Sequence, residues 1–476
     1  MGPFLPALYL FFIPVLGYFP ARALCRGAGS LSAEWWIPIA FITGLTLQAI
    51  LFLVSIVVAG YVFPLACAAV ALAIGGAILA WELRTPDSAW PEFTGFEFVR
   101  PGLDGGANRF HALMVGTIGL LAIIVYTNAL SYPFTSYDGR AIWSFKARVL
   151  FHHNTIHTEA FTSPYVSHYH YDYPLLMPFA KYVIYLLSGE IAERSARILF
   201  STVFLIQLLF LYGATRRLTN PLIAILATLL YCATPFRDDW SERDGGALNS
   251  GAVDIPLSLF ALIAVVACHR WWKDRSPWLL RVAAVAIAGA LMTKKEGVVI
   301  LAIVGGVNLL QAGVGPVMER LRGARAIVLT GAGALLLASP WLYLSTYLPN
   351  FYDEKYSTML NAGTLEILPG RVQLIGWFMW EELFNYQKWN YYWAVYFGAV
   401  LLAIPSWITT RSFYFDSIIL SWIAIYLFVY LVSPLNLVFH LNTSISRLAS
   451  HFMPIVLLRL ACFVVEHVPL SPEKAA

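Results

Sequence analysis

The chain has 476 residues, of which 59% are hydrophobic and only 12% charged, with a net charge of +4. Soluble domains carry about 25% charged residues, so the composition excludes an ordinary soluble protein and points to an all-α polytopic membrane protein. The five cysteines, at positions 25, 67, 232, 268 and 462, lie in or beside apolar runs without CxxC spacing, which excludes a disulfide framework and a zinc knuckle.

A bilayer core about 30 Å thick needs about 20 apolar residues per helical crossing. Apolar runs centre on 4–20, 36–58, 62–81, 111–130, 195–215, 221–235, 253–270, 279–293, 297–314, 326–345, 391–409, 414–432 and 451–466, so about thirteen transmembrane helices are expected. The first run lacks a basic leader and "ARAL" at 21–24 is a poor cleavage site, so it is read as a retained helix. A further apolar stretch, 174–189, is read as a re-entrant or interfacial helix. Counting it as a crossing would put Arg216 and Arg217 outside, against the positive-inside rule. The joints at 21–35, 82–110, 216–220, 270–281, 315–325, 410–413 and 467–476 then share the cytoplasmic side. Together with Asp416 and Glu466 they carry more Lys and Arg than Asp and Glu, whereas the opposite joints carry fewer.

The outer segments 131–194 and 346–390 are long and rich in Trp, Tyr and His. In "TSYDGRAIWSFKARVLF" (135–151), Ile142, Phe145 and Val149 recur at helical spacing with Trp143 and Leu150 beside them, which predicts an amphipathic helix lying in the interface. Asp138 stands at its N-terminal end, either as a helix cap or as a functional carboxylate. Later come "HYHYDYPLLMP" (168–178), "GAVDIPLSLF" (251–260), "MTKKEG" (292–297), "SPWLYL" (339–344) and "SISRLASHFMP" (444–454). Asp254, Lys294, Lys295, Glu296 and Arg447 each fall at an expected outer helix end. Singly, such charges are ordinary snorkelling anchors; gathered on one side above an apolar bundle, they suit a substrate with a charged head and an apolar tail.

These motifs, in this order, resemble the GT-C superfamily of glycosyltransferases that use polyprenyl-phosphate sugars, most closely the branch of protein O-mannosyltransferases and lipid A aminoarabinose transferases. Members carry an acid in the first outer loop, as "SYDGR" does, and an acid before a proline-started helix, as "YDYPLLMP" does. "VDIPLS" matches their Asp-Pro-like junction, "MTKKEG" their "MTKG"-like turn, and Pro340 with Trp341 their "PW" pair. The resemblance covers about 111–466, which implies a catalytic module there, three additional helices and a cytoplasmic loop in 1–110, and a cytoplasmic tail over 467–476. It implies transfer, with inversion, of a sugar from a polyprenyl-phosphate donor to a hydroxyl on a glycan, lipid or protein, at the outer face of a bacterial inner membrane.

By the same resemblance Asp138 is the base or acceptor-orienting acid and Lys294 the family lysine; Lys295, as its neighbour, and Arg447, from its place near the last outer loop, are expected as further phosphate contacts. Asp172, Asp254 and Glu296 complete the binding set by orienting the cations or the sugar. One departure stands out: where the aminoarabinose transferases follow the acid with a phosphate-binding lysine, Asp172 is followed by Tyr173.

Other readings stay open on the sequence. His168, His170 and Asp172 would share one face of an extended segment and form a divalent-metal site, or belong to a Tyr/His interface belt. Asp238 and Asp239 would bind a cation or stand solvated. Trp377, Trp380, Trp389 and Trp393 are sugar-stacking candidates or membrane anchors. A transporter without chemistry would favour mid-membrane charges and related halves; the halves show no symmetry and only Asp416 and Arg459 fall near span interiors or edges, and a surface-glycan ligase would use a diphosphate donor. No P-loop motif or internal repeat is found, and no nucleic-acid partner is expected.

Overall fold

The computed structural model describes residues 4–85, 89–97, 105–131, 134, 136–234, 251–313, 316–349, 356–359, 361–410 and 413–467. Asp238, Asp239 and residues 468–476 of the tail lie outside the described residues. In chain order the main helices are α1 (Phe4–Leu24), α2 (Ala33–Ala59), α3 (Pro64–Arg84), α4 (Gly105–Ser131), α5 (Phe145–His153), α6 (Leu176–Ser188), α7 (Glu193–Leu218) and α8 (Pro221–Cys232). They continue as α9 (Asp254–Asp274), α10 (Pro277–Thr293), α11 (Gly297–Ala312), α12 (Val317–Ser345), α13 (Ala362–Leu383), α14 (Tyr392–Thr410), α15 (Tyr414–Leu431), α16 (Leu437–Ser450) and α17 (Met453–His467). Two short strands, β1 (Ser30–Leu31) and β2 (Glu92–Phe93), pair in parallel. The protein is thus an all-α polytopic membrane protein.

Among the described residues, α2, α3, α4, α7, α9, α12 and α15 are long and apolar enough to cross a bilayer, and the pair α16–α17, bent by 47°, makes an eighth crossing if taken as one span. The other five expected crossings fall on the shorter apolar helices α1, α8, α10, α11 and α14. With 12 residues in α8 and 17 in α10, and a rise of 1.5 Å per residue, these reach about 18 and 26 Å. The count of thirteen full crossings therefore does not follow from helix length. Segment 174–189 folds as α6, whose 13 residues span about 20 Å, too short for the hydrocarbon core.

Residues 138–151 depart from the expected lipid-facing helix. Asp138–Ser144 wind as a π-helix before α5 begins, so the 3.6-residue stripe does not hold over the first turns. The apolar strip is covered by protein: α6 packs across both the π-helix and α5, and Ile142, Trp143, Val149 and Leu150 are buried with Lys146 and Ala147.

α1 and α2 cross at glycines. A Cβ on Gly17 would lie 1.9 Å from the Ala40 carbonyl oxygen and one on Gly44 2.1 Å from that of Ile13, the close backbone approach that small residues permit in membranes. α2 also packs on α6, α7, α10 and α12, and one apolar core runs from Tyr9 to Leu458.

Joints assigned to one side by charge meet in space. Arg281 donates to the carbonyls of Leu24 (2.7 Å) and Arg26 (2.6 Å), Arg22 pairs with Glu82, Arg216 with Glu97 (2.5 Å), and Arg217 lies 5.4 Å from the Trp35 ring. At the other end the joint after α2 meets the first long loop, with Val62 N–H donating to Asn154 O (2.6 Å) and the Thr155 hydroxyl to Gly60 O (2.5 Å).

Candidate active site

Several helix termini converge at this second end. Asp254 opens α9, where a carboxylate is favoured by the helix dipole, and Pro256 is tolerated because the first-turn N–H groups lack intrahelical acceptors. α10 stops at Lys294, whose extended backbone (φ −155°, ψ 154°) breaks the helix, and α11 starts three residues later. That reversal requires glycine: a Cβ on Gly297 would lie 2.3 Å from the Ala290 carbonyl oxygen. The tight turn holds Lys294, Lys295 and Glu296 against the start of α9. Arg447 enters from α16, and the bend between α16 and α17 carries His451 beneath it.

Asp254, 2% exposed, is the hub. One of its oxygens takes hydrogen bonds from Lys294 Nζ (2.9 Å) and His451 Nε2 (2.7 Å), and the other from Arg447 Nε (3.2 Å). Arg447 Nη1 reaches on to Asp138 Oδ2 at 2.5 Å, so one guanidinium bridges the two carboxylates. Lys294 also contacts Glu296 Oε1 at 2.7 Å, and Tyr426 OH lies 3.0 Å from His451 Nδ1. Burial opposes the charge of Lys294, but Asp254 and Glu296 outweigh it and raise its pKa above the ordinary lysine value. Burial likewise opposes ionisation of Glu296, yet Lys294 and His451 hold it below the usual carboxyl value.

Lys295 pairs with Asp172, and its Nζ sits 5.1 Å from the Tyr173 ring centroid. Under the same ring lies Lys146, fully buried, donating to Tyr173 O at 2.9 Å. Burial drives its pKa well below the ordinary lysine value, against the opposing pull of Asp172.

These groups open on a cavity of about 1050 Å³, lined by Asp138, Asp254, Lys294, Lys295, Glu296 and Arg447 together with other residues of α13, α15 and α16. Seven charged positions scattered from 138 to 447 in sequence thus share one chamber or its edge, Asp172 through its pair with Lys295.

The extended segment on which the metal expectation rests is not found. Residues 164–169 form a 3-10 helix and His170 takes a left-handed φ of 46°, so the segment is not extended and has no alternating face. His170 stacks on Tyr173 (4.7 Å, 27°), Asp172 pairs with Lys295, and the His168 side chain lies outside the described residues. Among the described residues no three His, Cys, Asp or Glu side chains gather to hold a metal. Two of the four tryptophans are likewise excluded as sugar platforms. Trp389 and Trp393 are fully buried, and Trp389 Nε1 donates to Glu382 at 3.0 Å. Trp380 stacks on Phe384 (4.1 Å, 25°), which leaves Trp377, 56% exposed, facing the cavity.

Sequence reasoning did not single out His451, Tyr426, Glu382 or Lys388. His451 had a signal, since it follows Arg447 by four residues, the spacing that stacks two side chains on one helix face. Glu382 and Lys388 sit in the second long loop, where no motif marks them.

No curated protein and no solved structure gives a match to the chain. Residues 172–344, which carry Asp172, Asp254, Lys294, Lys295 and Glu296 but not Asp138 or Arg447, match the family model of Dolichyl-phosphate-mannose-protein mannosyltransferase. The match covers less than half of the chain, and over it the sequence is similar to that family, which belongs to the GT-C superfamily.

Proposed function

We propose that the protein is a membrane glycosyltransferase that moves a hexosyl or pentosyl group from a polyprenyl-phosphate donor to an acceptor hydroxyl, at the outer face of a bacterial inner membrane. In this reading residues 111–466 form the catalytic module, 1–110 supply three helices and a cytoplasmic loop, and 467–476 form a cytoplasmic tail. The observation that carries it is the bridge Asp138–Arg447–Asp254 on the wall of a large cavity. A base beside a held cation is what such a transfer requires.

The acceptor oxygen attacks the anomeric carbon, the bond from that carbon to the phosphate oxygen breaks, and the hydroxyl proton passes to Asp138. The pair of electrons leaves with the polyprenyl phosphate, whose growing charge is offset by cations. The cations divide the work. Lys294 is buried and shared between Asp254 and Glu296, so it fixes the turn and the hub. Lys295, with its side chain 46% exposed, is the lysine open to a phosphate. Arg447 stays anchored through Nε to Asp254 while Nη1 exchanges Asp138 for the arriving phosphate, which frees the base when the donor is bound. Single displacement by one base inverts the anomeric configuration. Asp172 positions Lys295, filling the place left by Tyr173 where relatives carry a lysine.

The test is transfer by purified protein in nanodiscs, given radiolabelled polyprenyl-phosphate sugars and envelope acceptors. Loss of the Asp138 base in Asp138→Asn is expected to slow transfer by about 10²- to 10⁴-fold. Full-rate transfer by this variant removes Asp138 from the mechanism. Wild-type protein that carries the labelled lipid across vesicles without splitting the sugar–phosphate bond is a transporter instead.

A further inference from the structure

We propose that the acceptor is an uncharged carbohydrate, bound against a second wall of the same cavity where Trp377 and Glu381 recognise it. This rests on the glycosyltransferase reading and adds the acceptor class, which that reading leaves open among glycan, lipid and protein.

The cavity stands at the upper end of the range for a ligand site. Pockets that enclose one drug-sized ligand measure about 300–1,000 Å³, and this one reaches about 1050 Å³. Three of its cations, Lys294, Lys295 and Arg447, are tied to Asp254, Asp172 and Asp138. A second wall is formed by lining residues of α13, of the short helix Tyr386–Trp389 and of α16 next to Arg447, and it has a different character.

Its one lysine, Lys388, is already held, by Glu382 Oε2 at 2.9 Å and Ser446 Oγ at 3.2 Å. Glu382 is itself fixed by Ser446 Oγ (2.6 Å) and Trp389 Nε1 (3.0 Å). That leaves Glu381, exposed beside the exposed ring of Trp377, as the acidic excess of this wall. A phosphorylated lipid acceptor would meet repulsion here, since like charges across an interface disfavour the wrong partner. A sugar ring meets the opposite: an apolar aromatic face for its C–H side and carboxylate oxygens that accept hydrogen bonds from its hydroxyls.

The wall also lies close to the base. Ser446, which touches Glu382 and Lys388, immediately precedes Arg447, which touches Asp138. Consecutive residues of α16 therefore join the Glu382–Lys388 pair to the Asp138–Arg447 pair.

The experiment incubates nanodisc-held protein and labelled polyprenyl-phosphate sugars with an envelope extract from cells lacking the gene. Label is then partitioned among protease-released peptides, phosphorylated lipid and neutral glycan. Label in the neutral glycan is expected, with Trp377→Ala and Glu381→Gln each raising the acceptor KM by about tenfold while the donor KM stays within about twofold. Trp377→Phe, which keeps an aromatic face, should recover most of the loss. Label in peptides or phosphorylated lipid overturns the inference but leaves a glycosyltransferase, as does neutral-glycan label with an unchanged acceptor KM in both variants. If wild type splits no donor with any fraction, the underlying reading falls and this one with it.

Discussion

Two carboxylates meet one arginine at the site, and their burial separates their tasks. Asp254 is 2% exposed and accepts from Lys294, Arg447 and His451, whereas the Asp138 side chain is 25% exposed and, among the described residues, meets one cation, Arg447. Removing one partner of a buried ion pair costs about 3–5 kcal/mol, a large part of a typical stability of about 5–15 kcal/mol. Asp254→Ala should therefore act on the fold, lowering the yield and melting temperature of detergent-solubilised protein. Asp138→Asn should melt near wild type and lose only turnover. Equal melting of both variants would show that the hub is not structural. The two acids look alike in sequence, each beside an apolar run, because the partners that distinguish them are remote: Lys294 lies 40 positions from Asp254, and Arg447 193. Charge at a helix end is legible from neighbours in the chain, but its compensation is not.

At the scale of elements, the site depends on two irregularities. One is the π-helix that carries Asp138. Widened helical turns are frequent at functional sites, but hydrophobic spacing, which presumes 3.6 residues per turn, cannot announce them. The same assumption laid 138–151 on the lipid, because the strip was visible while its cover, α6, comes from residues 176–188. The other irregularity, the turn at 294–297, was legible as "MTKKEG", although the need for its glycine emerges only from the packing. A Cβ at Gly297 meets the Ala290 carbonyl at 2.3 Å, while one at Gly306, farther along α11, meets nothing within 4 Å. Gly297→Val should push α11 away and scatter Lys294, Lys295 and Glu296, abolishing measurable transfer and lowering the melting temperature. Gly306→Ala should be neutral or stabilising, since alanine in a helix interior is favoured over glycine by about 0.5–1 kcal/mol. A Gly297→Val protein with wild-type transfer would mean that the turn can open without harm to the site.

Across the whole molecule, the division of joints into two sides was the most legible feature, because the arginine excess and the even spacing of apolar runs are both properties of the linear chain. Joints near residues 24, 82, 97, 216 and 281 do gather at one end, and those near 60 and 154 at the other. What the chain could not reveal is the number of full crossings, since several helices are shorter than the bilayer and their depth depends on neighbours. Sidedness is a separate matter, resting on the positive-inside rule, and it decides whether the cavity sees an exported donor or a cytoplasmic one. Tyr165, 90% exposed in the first long loop, and Glu319, exposed at the start of α12, stand at opposite ends by this assignment. The native cysteines are buried or half-buried, so they give little background for thiol reagents. In right-side-out vesicles, an impermeant maleimide should modify Tyr165→Cys at once and Glu319→Cys only after permeabilisation. The reverse order would turn the protein over, place Asp138 and Arg447 on the cytoplasmic face, and require the sugar donor to be used before it crosses the membrane.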